Sequence, residues 1–192
     1  MRKSFPVLLF IILRFCLNGQ ETDTNWYSTY EHNGISIQNS YPKGGPYPAP
    51  VTQHYNYSYL VFFSRIINAT EKPFEIALNF SADSVAIPQS PDTFMKLFLP
   101  PDTMTLEKQD LFSYGITKLA SLDKPTSFSR ILKPEEECLF YVVAIFYQTT
   151  PSPWHNNRGG NRAELVLEGN DLYYNIPPQI NSIYCGQINS PF

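Results

Sequence analysis

Three histidines, His32, His54 and His155, are the only imidazole bases or ligands in the chain, and no two of them are close in sequence. A metal or general-base site built on them would have to be assembled entirely by the fold. Ser121-Leu122-Asp123-Lys124 has an S-x-x-K spacing used by serine nucleophiles, which requires a helix start and S-D-N and K-T-G partner motifs. Here Asp123-Lys124-Pro125 reads as a turn. Glu135-Glu136-Glu137 supplies three adjacent carboxylates, but adjacency before a strand gives a solvated turn and does not set two carboxyls across a substrate. Nucleophile elbow, zinc-protease, phosphate-loop and dinucleotide signatures do not occur. The expectation is a protein without catalytic residues, metal site or cofactor.

The richest surface chemistry lies in residues 149–161, Thr-Thr-Pro-Ser-Pro-Trp-His-Asn-Asn-Arg-Gly-Gly-Asn. Trp154 offers an apolar face, His155, Asn156 and Arg158 offer directional polar groups, and Gly159-Gly160 frees the backbone. Hairpin loops usually have about 2 to 5 residues, so this one reads as a binding loop for a protein partner. The competing reading folds Trp154 back as a cap on the core. A carbohydrate-binding module would instead use Trp26, Tyr27, Tyr41, Tyr47 and Trp154 as stacking faces, and a hydrolase would gather acids around His155.

The elements that must carry this loop are strands. Phe74, Ile76, Leu78 and Phe80 alternate with Glu75, Ala77, Asn79 and Ser81, the period-2 pattern of a half-buried strand. The apolar phase then moves to Val85 and Ile87, which requires a bulge or a bend between sheets near residues 82–84. Residues 57–67 and 139–147 are apolar on both phases and read as central strands. Met95 to Leu99, Leu111 to Leu119, Phe128 to Leu132, Ala163 to Leu167 and Leu172 to Ile176 complete the set, with at most one short helix, in 105–112. The fold predicted is an all-β antiparallel sandwich of about 7 to 9 strands. Residues 20–55, with Pro42, Gly44, Gly45, Pro46, Pro48 and Pro50, read as an extended Pro/Gly/Tyr-rich arm, leaving 56–192 as the β-sandwich domain.

Ile66-Ile67-Asn68-Ala69-Thr70-Glu71-Lys72-Pro73-Phe74-Glu75-Ile76 resembles the hairpin of exported bacterial immunoglobulin-like domains, and Leu132 to Glu137 resembles their turn into the strand at the sheet centre. The resemblance implies an immunoglobulin-like fold for residues 55–170 and no particular function.

Address and charge point the same way. Arg2 and Lys3 precede an apolar run from Phe5 to Leu13, with Gly19 shortly after, so residues 1–19 read as a secretory signal peptide. Without Arg2, Lys3 and Arg14, 11 basic residues face 17 acidic ones, a net charge near −6. That balance disfavours nucleic acid as a partner. The protein is expected to be secreted or periplasmic, and not to span a membrane. Cys138 and Cys185 then remain as a pair expected to form a disulfide. Asn56, Asn68 and Asn79 open N-x-Ser/Thr triplets, and Asp83-Ser84-Val85 and Asp102-Thr103-Met104 resemble short O-glycosylation acceptors.

Overall fold

The computed structural model describes residues 26–47, 57–88, 90–149, 162–177 and 180–189. They are all-β, with antiparallel pairing throughout and, among the described residues, no helix longer than a short 3-10 turn. Twelve strands are described: β1 Ser28–His32, β2 Ile35–Asn39, β3 Lys43–Pro46, β4 Tyr57–Asn68, β5 Phe74–Phe80, β6 Val85–Ile87, β7 Ser90–Phe98, β8 Thr126–Leu132, β9 Glu137–Gln148, β10 Glu164–Glu168, β11 Asp171–Ile176 and β12 Ile180–Asn189. A seven-stranded sheet runs β1-β2-β4-β9-β7-β6, with β3 also paired to β4; a five-stranded sheet runs β10-β11-β12-β5-β8.

Most expected strands form where the alternation places them. Phe74, Ile76, Leu78 and Phe80 are all buried, and so are Ala163, Leu165 and Leu167. The phase change after Phe80 is a bend between sheets: β5 belongs to the five-stranded sheet and β6 to the seven-stranded one, with Ala82 at φ 64° in the turn. Both sheets contribute to one inner core. Phe62, Ile66, Val142 and Phe146 project from the first, and Ile76, Leu165, Leu172 and Tyr174 from the second.

Two expectations about the strands are corrected. The segment expected as an arm supplies β1, β2 and β3, because Asn33 (φ 49°) and Gly34 (φ 78°) form the left-handed pair that closes a two-residue hairpin. Residues 111–119 do not form a strand; they carry short 3-10 turns at Phe112–Gly115 and Leu119–Ser121. The tail forms β12, whose alternation is broken by a bulge at Cys185, since Leu172 pairs with Gly186 but Tyr173 with Tyr184. Gly186 (φ +149°) permits the close approach there, where a Cβ would lie 1.9 Å from the Ala77 carbonyl oxygen.

The expected disulfide is also absent: Cys138 and Cys185 are free, buried thiols. Cys138 starts β9 in the seven-stranded sheet, while Cys185 sits in the bulge of β12 in the five-stranded sheet, its Sγ donating to the Leu172 carbonyl at 3.3 Å. Each packs as a small apolar residue in the inner core. Burial raises both thiol pKa values, that of Cys185 to about 12.

One edge of the assembly is sewn shut by side chains. Asn39, on β2, accepts the Leu165 N–H at 3.0 Å and donates to the Leu165 carbonyl at 3.2 Å, so its amide acts as one more β-bridge between the sheets. The Tyr30 hydroxyl donates to the Leu167 carbonyl at 2.8 Å beside it. These bonds satisfy the backbone of an edge strand that would otherwise be unpaired. No helix among the described residues is long and apolar enough to cross a membrane.

Candidate functional site

The positions first expected to bind lie outside the described residues: Trp154, His155, Asn156 and Arg158 all fall within 150–161. Their flanks do show what the loop connects. β9 is paired with β4 and β7 in one sheet and β10 with β11 in the other, so residues 149–161 are not a hairpin loop but a crossing between sheets. Other crossings between the sheets use only four residues, 81–84 between β5 and β6 and 133–136 between β8 and β9, so the crossing by itself does not account for the length of this connection.

The other candidates separate cleanly. His32 is exposed at the end of β1, its Nε2 2.9 Å from Asn33 Nδ2, on the rim of a groove of about 420 Å³ with Thr70, Lys72 and Asn170. His54 lies outside the described residues, among which no cluster of three metal-ligating side chains occurs. Ser121 spends its hydroxyl on the Lys118 carbonyl at 3.0 Å, within its own turn. Glu136 and Glu137 are structural: Glu136 Oε2 accepts the Lys133 N–H at 3.0 Å, and Glu137 accepts the Arg65 Nε–H at 2.8 Å.

Asn68 is fully buried and cannot serve as a glycan acceptor in the folded protein. Its amide donates to the carbonyls of Lys72 (2.9 Å) and Leu132 (3.0 Å), and its oxygen accepts from the Thr70 N–H (2.9 Å) and hydroxyl (2.7 Å). Asn79 is exposed on β5, and Asn56 lies outside the described residues.

The aromatic rings considered as stacking faces are mostly engaged. Trp26 packs edge-on against Phe63 with centroids 5.3 Å apart, and the Tyr47 hydroxyl donates to the Leu119 carbonyl at 3.0 Å. Tyr27 meets Tyr41 edge-on and carries the Arg162 guanidinium 5.0 Å above its ring.

Trp26 and Tyr47 pack against a second core on the outer face of the seven-stranded sheet. Tyr59, Val61 and Phe63 of β4 and Tyr141, Val143 and Ile145 of β9 point outward, and Met104, Tyr114, Leu119 and Leu122 from the β7–β8 connection lie over them. Tyrosine hydroxyls tie that connection down. Tyr141 donates to the Tyr114 carbonyl (2.7 Å), Tyr114 to the Tyr41 carbonyl (2.6 Å), and Tyr59 bonds the Ser113 hydroxyl (2.8 Å). Irregular backbone over a sheet needs such partners, because it lacks a ladder of its own.

The most unusual feature of the described surface lies at the crest of this connection, and no local sequence pattern marks it. Phe112 is 77% exposed and Leu111 50%, with Tyr41 close by at 44%. Behind them Ser113 (φ 45°, ψ 34°), Tyr114 (φ 54°, ψ 26°) and Gly115 (φ 70°) are three consecutive left-handed residues. The two that carry side chains cost about 1 to 2 kcal/mol each in that conformation. The anchored Tyr114 ring, edge-on to Phe63 at 4.9 Å, holds the turn in place. The strained turn lifts two large apolar side chains, Leu111 and Phe112, into solvent.

Fold and site together define a class: an all-β protein of two antiparallel sheets, one of them bearing a strained apolar turn on a covered outer face. Beyond that class, no protein-family model, no curated protein and no solved structure matches the chain.

Proposed function

We propose that the chain is an exported, non-enzymatic interaction module with an immunoglobulin-like β-sandwich fold, and that it engages a protein partner through Leu111 and Phe112. The observation that carries the reading is the strained turn that exposes Phe112 while burying its neighbours Ser113 and Tyr114. A large aromatic held rigidly in solvent loses little conformational freedom on binding and fills a partner's pocket, as interface hot spots do. The two antiparallel sheets around one inner core support the sandwich, and the charged start followed by the Phe5 to Leu13 run supports export.

The test uses tagged full-length protein, first to capture a partner from envelope extracts and then to measure its affinity for that purified partner. Leu111→Ser with Phe112→Ser is expected to leave folding stability within about 0.5 kcal/mol, since both side chains are solvated. Affinity is expected to fall by about 2 kcal/mol or more. Unchanged affinity in this variant would refute the assignment.

A further inference from the structure

The outer face of the five-stranded sheet, unlike that of its partner, has no apolar cover among the described residues, and its side chains follow a strict cross-strand register. Val166, Tyr173 and Tyr184 form one row over β10, β11 and β12. Beside it runs a second row across all five strands, from Glu168 to Asp171, Gln187, Ala77 and Ser129. Glu164 and Glu75 extend the same face, whose outward positions on β5, β8, β10, β11 and β12 include no lysine or arginine.

Two details distinguish this face. Glu168 and Asp171 stand directly opposite each other across the β10–β11 hairpin, a like-charge pairing that works against the hairpin, and no cation bridges them among the described residues. Next to them Tyr184 is 56% exposed, with the Tyr173 ring edge-on at 5.8 Å. By register Asp171 and Glu168 lie on the same face as Tyr173, two positions along β11 and diagonally across on β10, and the Tyr173 phenol is held above its ordinary pKa by loss of solvent and then by the charges of Asp171 and Glu168.

We propose that this face is a second interaction surface, which takes an extended lysine- or arginine-rich segment of a partner protein. The argument is charge complementarity. Cationic side chains would relieve the Glu168–Asp171 repulsion, and a guanidinium or ammonium over Tyr184 or Tyr173 would gain a cation–π contact. The five-stranded sheet presents these groups on rigid strands rather than loops, so little order has to be gained on binding. The surface is independent of the Leu111–Phe112 turn, which belongs to the other sheet.

The test is fluorescence anisotropy of full-length protein with a labelled hexa-arginine peptide, at low and at physiological salt. Binding that weakens as salt rises is expected. Glu168→Gln with Asp171→Asn is expected to weaken it about tenfold, and Tyr184→Ala about threefold. Both variants change outward positions on the sheet, and circular dichroism melting checks that they fold. The Leu111→Ser/Phe112→Ser variant is expected to bind the peptide as the parent does, so failure here and failure of the proposed function are distinguishable. No binding, binding unaffected by the face variants, or preferential binding of neutral glycans on an array over the peptide would each overturn the proposal.

Discussion

The two sheets treat their outer faces in opposite ways. On β4 and β9 the outward positions are Tyr59, Val61, Phe63, Tyr141, Val143 and Ile145, and a long connection with three 3-10 turns covers them. On β10 and β11 the outward positions are Glu164, Val166, Glu168, Asp171, Tyr173 and Asn175, and no second core forms there among the described residues. A strand apolar on both phases thus announces a second cover, whereas strict alternation announces one buried face and one face that meets solvent or a partner. The two proposed interaction surfaces follow the same division, one on the crest of the cover and the other directly on the bare strands.

The sharpest way to break this comparison is to cut into each core from the same strand. Phe62 faces the inner core and Phe63 the second, and both are about 1% exposed. If the covered face is a true core, Phe62→Ala and Phe63→Ala should each cost about 3 to 5 kcal/mol in denaturant unfolding. A Phe63→Ala cost below about 1 kcal/mol would show that the connection merely rests on the sheet.

A smaller effect is expected in alkali. Burial and then the Asp102 charge raise the Tyr141 phenol to about 12, and burial raises the Cys185 thiol to about 12, from ordinary values of 10.0 and 9.0. Both groups are neutral in the folded state over a range where the unfolded chain ionises them. Their contribution to stability is complete below pH 9 and lost as pH rises toward 12. Unfolding free energy should fall across that window, and Cys185→Ala should flatten the curve between pH 9 and 10, where only the thiol of this pair ionises in the unfolded chain. An unaltered slope in that variant would place the alkaline loss elsewhere.

The smallest effect has the opposite sign. Glu168→Gln removes the like charge facing Asp171 and should stabilise the fold by about 0.5 kcal/mol, read as a rise in melting temperature. Destabilisation instead would mean that Glu168 has a favourable role in the free protein.

Sequence alone determined the all-β class and most of the strands, because alternation is a local property: the inward set of β5 and β10 could be read from seven and five residues. The Asn33-Gly34 hairpin signal is equally local, although the proline-rich stretch beside it reads as an arm. β12 was hidden because the Cys185 bulge shifts its phase, so buried residues fall at Ile180, Cys185 and Ile188 without a period of two. What joins which sheet was decided only in three dimensions, by pairings between residues far apart in the chain. Those pairings turned the 149–161 connection into a crossing, put Cys138 and Cys185 on different sheets and spent the amide of Asn68 on backbone carbonyls. The Leu111–Phe112 turn is the clearest case: its exposure follows from tyrosine anchors on β3's flank, β4 and β9 that pin the neighbouring backbone, and no window of sequence around it contains them.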